Sequence, residues 1–227
     1  MDIIFLFFLV FSISYFFNLE SYNFFSTDFN ARYKPNGLNW IDQIISLNFH
    51  QISLFNYYLI PELITGFFIK IFPNNEIFSI GLNFLNIALL FLSFNLFFKS
   101  LDNKNNNLAL FFFFIIFFSY IGNWIWCFWK LADIYFLFVF SLVFYFTSLG
   151  IKKKKISNLF IALFFVIISL ITKPQGISII PFYFLSIFLF FIKKEINFYK
   201  FIIITFSIYF IVFPLMIYFL IKLNLFN

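Results

Sequence analysis

Residues 78–98 read FSIGLNFLNIALLFLSFNLFF and contain no Asp, Glu, Lys or Arg. A helix of about 20 apolar residues crosses the ~30 Å hydrocarbon core of a bilayer, so this stretch predicts a transmembrane helix. Apolar stretches also precede and follow it, and 63% of the chain is hydrophobic while only 11% is charged. A water-soluble fold would lack the polar residues to cover its surface, and the chain is therefore predicted to lie in a membrane.

The apolar segments predict an all-α fold, a polytopic transmembrane helical bundle formed by one domain over residues 1–227. We expect about seven spanning helices and one re-entrant or interfacial helix. The segments are Ile3–Phe17, Tyr57–Phe72, Phe78–Phe98, Leu108–Gly122, Leu131–Gly150, Leu159–Ile171, Ile177–Ile192 and Phe201–Leu220.

The segment Tyr57–Phe72 is ambiguous because it contains Pro61, Glu62 and Lys70, which are costly when they face lipid. If it does not span, residues 19–77 form a large external loop with a juxtamembrane helix, and the N-terminus is cytoplasmic. If it does span, the N-terminus lies outside and the loop is cytoplasmic. The first arrangement is preferred.

Three basic regions predict the orientation, since loops rich in Lys and Arg stay in the cytoplasm. They hold Lys99 with Lys104, Lys152 to Lys155, and Lys193, Lys194 and Lys200. Asn123–Lys130 and Thr172–Gly176 alternate with them and are expected on the external side. Such a chain is predicted to be a multi-pass protein, with the bacterial inner membrane as its location.

Composition argues against several other functions. One Cys and one His leave no usual metal-binding constellation, so neither a metal nor a cofactor is expected. The net charge of +6 comes from Lys clusters beside apolar segments, where topology and lipid head groups are the ordinary explanation, and nucleic acid is not an expected partner. The 47 Phe are attributed to an AT-biased genome rather than to chemistry.

The first loop carries most of the polar chemistry. Asp28 and Arg32 are four residues apart and would share a face if the loop is helical, as a base and a phosphate ligand, with Tyr33 beside them. A solvated ion pair without catalytic function is the alternative for this spacing.

Two external turns supply further candidates for substrate binding. Lys130 and Asp133 follow three Trp residues at the mouth of a helix, where the Trp residues alone would be a membrane anchor. Lys173 lies in TKPQG at residues 172–176 and is a candidate for holding an anionic phosphate. A Pro-Gly turn with a Lys that reaches the interface is the alternative there.

The order of these features resembles the GT-C glycosyltransferases, in particular the bacterial protein-mannosyltransferase and aminoarabinose-transferase-like branch. The resemblance covers about Ile3 to Phe191 and rests on the order of the features that follow the first helix. They are a polar external loop with Asp28, a Pro-containing helix ending in FFIKIFP at residues 67–73, a further helix, a Lys-bearing loop, and the motifs KLAD at residues 130–133 and TKPQG at residues 172–176.

The resemblance implies an enzyme that moves a hexose or pentose from a polyprenyl-phosphate carrier to a hydroxyl or phosphate acceptor at the outer membrane face. The acceptor would be a glycan, lipid or protein, and membrane lipids would surround the enzyme. Asp28 would be the catalytic base, with Arg32, Lys130 and Lys173 stabilising the leaving phosphate. The later helices and soluble C-terminal part common in the family are expected to be missing.

Other functions stay open. The chain could be a transporter or flippase component, with Asp133 and Lys173 along a path, or a membrane scaffold without catalysis. An enzyme like an O-antigen polymerase is a further alternative, although that would predict a large external loop late in the chain.

Overall fold

The computed structural model describes residues 29–47, 58–101 and 132–222, and every regular element within these ranges is a helix. The α-helices are α1 (Lys34–Ser46), α2 (Leu59–Ile71), α3 (Asn75–Ser100), α4 (Ala132–Lys152), α5 (Ile156–Thr172), α6 (Ile179–Ile192), α7 (Phe198–Ser207) and α8 (Phe213–Lys222). π-Helical turns cover Phe29–Tyr33 and Ile208–Val212, and a 3-10 turn covers Pro174–Ser178. The all-α fold class is confirmed for this part of the chain.

Four helical stretches in the described residues are long and apolar enough to cross a membrane: Ile77–Ser100, Ala132–Lys152, Pro174–Ile192 and Phe198–Leu215. Helix α5 is apolar but shorter. The predicted spans Ile3–Phe17 and Leu108–Gly122 lie outside the described residues. The described helices are thus compatible with a membrane protein, and the total of seven spans stays a prediction.

Helix α2 occupies most of the segment that the sequence left ambiguous. It has 13 residues and therefore rises only about 20 Å, less than the ~30 Å of the hydrocarbon core. The buried side chains of its first two turns include Glu62 and Thr65. Helix α2 alone is therefore shorter than a spanning helix, and its arrangement relative to the membrane stays a prediction.

Helices α1 and α2 pack side by side and run in the same direction. Contacts advance together along both helices, from Arg32 with Glu62 to Asp42 with Lys70, whose Nζ and Oδ1 atoms are 2.7 Å apart. The backbones cross at Gly37 and Gly66, where a Cβ atom on Gly37 would lie 2.3 Å from the carbonyl oxygen of Glu62. Glycine is required here because any side chain would collide with backbone.

Helices α3 and α4 also run parallel. At one end the Ser148 hydroxyl and the Lys152 ammonium donate to the carbonyl oxygen of Ser100, at 3.0 and 2.8 Å. At the other end Phe78 on α3 shares a buried cluster with Ala132 on α4. Leu101 and Ala132 therefore lie at opposite ends of the bundle.

Helices α4, α5 and α6 form the main core by successive reversals of the chain. Lys154 adopts a left-handed conformation (φ 51°) in the tight turn between α4 and α5. Val143, Val166 and Ile187 are fully buried where the three helices meet. These reversals set the start of α4 and the end of α5 at the same end of the bundle.

All three basic regions meet at the opposite end, which we call the lysine end. It comprises Lys99, Lys152 to Lys155, Lys193, Lys194 and Lys200. The Lys200 ammonium donates to the carbonyl oxygen of Lys154 at 3.0 Å, which ties the α6–α7 turn to the α4–α5 turn. The described basic regions thus lie at one end of the bundle, and their side of the membrane stays a prediction; Lys104 lies outside the described residues.

Candidate functional site

Glu62 is the centre of a buried polar cluster between α1 and α2. Its side chain has no exposed surface, and its carboxylate accepts hydrogen bonds from Arg32 Nε (3.2 Å), Asn36 Nδ2 (3.0 Å) and Trp40 Nε1 (3.0 Å). The three donors are spaced by four residues and so project from one helical face. We call Glu62 and its three donors the Glu62 cluster.

This arrangement makes Glu62 a positioning group rather than a base. Both carboxylate oxygens already accept hydrogen bonds from buried or partly buried donors. A proton taken from a substrate would have to displace one of these bonds. Glu62 therefore holds Arg32 and fixes α1 on α2.

Arg32 is further oriented by aromatic rings. Its guanidinium lies 4.2 Å from the centre of the Tyr58 ring, and the rings of Tyr33 and Tyr58 are 5.7 Å apart. Tyr33 is buried, whereas the Arg32 side chain is one-third exposed. The Arg32 guanidinium is thus held by the Glu62 carboxylate and the Tyr58 ring, and part of its side chain is exposed at the surface of the bundle.

Asp133 and Lys173 form an ion pair through Oδ1 and Nζ. Asp133 is in the first turn of α4, and Lys173 is the extended residue after α5, a conformation favoured because Pro174 follows. Gly176 then packs on α5, where a Cβ atom would lie 2.2 Å from the carbonyl oxygen of Ser169. This close packing fixes the position of the turn that carries Lys173.

The Glu62 cluster and the Asp133–Lys173 pair lie at the same end of the bundle. Ala132, which directly precedes Asp133, is buried in one cluster with Phe29 and Tyr33. The Phe29 and Phe78 rings, 5.7 Å apart, extend this cluster to α3. We call the end of the bundle that holds the Glu62 cluster and the Asp133–Lys173 pair the Glu62 end; it lies opposite the lysine end.

The structure brings four of the predicted site residues to the Glu62 end: Arg32, Tyr33, Asp133 and Lys173. The other two, Asp28 and Lys130, lie outside the described residues. Sequence reasoning proposed Asp28 as the partner of Arg32 and did not include Glu62, Asn36 or Trp40 in the site. The signal that could have found Glu62 is its charge within an apolar segment.

The described residues contain no group of three or more His, Cys, Asp or Glu side chains that could hold a metal ion. The chain matches no family model, no curated protein and no solved structure.

Proposed function

We propose that the chain is a membrane glycosyltransferase of the GT-C type that moves a hexose or pentose from a polyprenyl-phosphate carrier to a hydroxyl or phosphate acceptor. The observation that supports this most directly is the presence of Arg32 and Lys173 at the same end of an otherwise apolar bundle. A lipid-linked phosphate requires cationic donors beside apolar surface, because its head is anionic and its tail is hydrocarbon.

In this proposal the charged groups act in three ways: some stabilise the leaving phosphate, some orient those cations, and one removes a proton. Arg32 and Lys173, with Lys130, stabilise the phosphate as it leaves, and Tyr33 contributes to the wall of the site. Asp133 orients Lys173, as Glu62 orients Arg32. Asp28 directly precedes the anchored Phe29 in sequence and takes the proton of the acceptor.

The proposed topology has about seven spans in the bacterial inner membrane. The lysine end faces the cytoplasm, because positive charge is retained there. The Glu62 end then faces outward, where a lipid-linked sugar would meet a glycan, lipid or protein acceptor.

A transfer assay tests the proposal. Membrane vesicles that contain the chain are supplied with polyprenyl-phosphate hexose or pentose labelled in the sugar, and transfer of the label is measured. We expect Asp28→Asn to lower the rate at least ~100-fold, since a general base contributes 10²–10⁴-fold. Lys173→Gln should lower it by a similar factor through loss of charge stabilisation, with partial recovery in Lys173→Arg.

Lys70→Gln is the matched control, because Lys70 forms an exposed ion pair with Asp42 away from the cluster. It should retain transfer. Normal transfer by Asp28→Asn would refute Asp28 as the base, and absence of transfer by the unchanged chain from either class of donor would refute the glycosyltransferase itself.

A further inference from the structure

A groove of about 330 Å³ lies between α4 and α6 and opens at the lysine end. On α4 it is lined from Phe144 to Lys152, and on α6 from Phe182 to Phe190. Eight residues of helix rise about 12 Å, so the groove is a narrow channel along the helix axes. Its direction is that of a lipid acyl chain in a bilayer.

The walls of the groove are suited to hydrocarbon. Phe144 and Phe182 stack at the end of the groove farther from Lys152, with ring centres 6.1 Å apart. The hydroxyls of Thr147, Ser148 and Ser186 all donate to backbone carbonyl oxygens at 2.7–3.0 Å. These hydroxyl protons are already committed, so the groove does not require a polar ligand along its length.

The groove reaches the lysine end, which is strongly basic, and the charged residues of its own lining are Lys152 and Glu195. Eight described Lys residues form the lysine end, and Glu195 is the acidic residue that lines the mouth beside Lys152. With eight Lys and one Glu, the lysine end carries a charge of +7, which attracts anionic head groups of the adjacent leaflet. A ligand with one hydrocarbon chain in the groove and a phosphate at the mouth satisfies both parts.

We propose that this groove binds an anionic phospholipid, with one acyl chain between α4 and α6 and its phosphate at Lys152, whose ammonium donates one of its three N–H groups to the carbonyl oxygen of Ser100. The site is at the opposite end of the bundle from the Glu62 cluster, so it is separate from the proposed catalytic site. It does not depend on the chain being a glycosyltransferase.

Native mass spectrometry of the purified chain in detergent tests the proposal by titration with dioleoyl-phosphatidylglycerol and dioleoyl-phosphatidylcholine. We expect the anionic lipid to bind at least tenfold more tightly. Lys152→Gln should remove most of that preference, because a charge-assisted hydrogen bond to phosphate is lost. Ser186→Trp should weaken binding of both lipids by filling the groove.

Controls separate the groove from general adsorption. Ser178→Trp places the same bulk at an exposed position at the other end of the α6 region and should leave binding unchanged. Dihexanoyl-phosphatidylglycerol and inorganic phosphate should bind at least tenfold more weakly than the long-chain lipid. Equal affinity for the two dioleoyl lipids, equal binding of the short-chain lipid, or unchanged binding by both Ser186→Trp and Lys152→Gln would overturn the proposal.

Discussion

At Glu62 a carboxylate is shielded from solvent, and Arg32, Asn36 and Trp40 replace the hydrogen bonds that water would make. Burial of a charge without such partners costs several kcal/mol. Removal of the Glu62 carboxylate would in turn leave its buried donors without an acceptor. The pair Asp42–Lys70 joins the same two helices, but both side chains are about half exposed. The two pairs therefore compare a buried and an exposed ion pair within one interface.

We expect Glu62→Gln to lower the free energy of unfolding by about 3 kcal/mol, because an amide cannot accept from all three donors. Asp42→Asn should lower it by at most ~0.5 kcal/mol, since exposed pairs contribute little. Titration with SDS in detergent micelles, followed by circular dichroism, measures both. Equal losses in the two variants would show that the Glu62 cluster does not stabilise the α1–α2 interface.

At the scale of elements, the interface between α1 and α2 depends on close backbone contact. Beyond the contact of Gly37 with the Glu62 carbonyl, a Cβ atom on Gly66 would lie 2.0 Å from the carbonyl oxygen of Gly37. Backbone atoms cannot relieve such a collision by changing rotamer, as a side chain can. A Cβ atom on Gly81 of α3, in contrast, would meet only the Phe68 ring at 3.2 Å, which makes Gly81 a suitable control.

Gly66→Ala is expected to destabilise the protein by about 3 kcal/mol and to separate α1 from α2, whereas Gly81→Ala should be nearly neutral. Trp40 reports the separation, because it is buried against α2 and would move into a more polar environment. With the other three tryptophans, Trp124, Trp126 and Trp129, replaced by Phe, its fluorescence emission should shift to the red in Gly66→Ala. An unchanged emission in that variant would contradict the described crossing.

Sequence patterns predicted the long helices well and α1 poorly. The apolar stretch Phe78–Phe98 became α3 (Asn75–Ser100) with small extensions at both ends. Helix α1 contains Pro35, Gly37 and Asn36, which lower helix propensity, so its stability depends on packing against α2. Spacing along the sequence predicts contacts between residues one helical turn apart. It could not predict the contact of Arg32 with Glu62, which is 30 positions away.

At the scale of the whole molecule, the described charges separate to two ends. The Glu62 end holds two mixed ionic groups, while the lysine end is predominantly positive. Asp133 and Lys173 were expected on the same side from the alternation of basic loops, and the structure places them in direct contact. Their ion pair itself could not be predicted, because the tilt of α4 against α5 decides which side chains meet.

Single cysteines in a Cys127→Ser background test this polarity with a membrane-impermeant maleimide. Asn30→Cys and Gln175→Cys, both exposed at the Glu62 end, should be labelled on intact cells. Lys153→Cys at the lysine end should be labelled only after permeabilisation. Labelling of Asn30→Cys and Gln175→Cys from different sides would contradict the described arrangement, and reversal of all three would contradict the proposed outward orientation.

The position of Glu62 after its three donors in the sequence determines the order in which the Glu62 cluster is synthesised. Arg32, Asn36 and Trp40 all precede Glu62, with Arg32 leading by 30 residues. At a translation rate of 5–20 residues per second, Arg32 leaves the ribosome about 2–6 s before the carboxylate. Glu62 therefore emerges when all of its partners are already present, and the nascent chain does not have to hold an unpaired acid at the membrane surface while it waits for them.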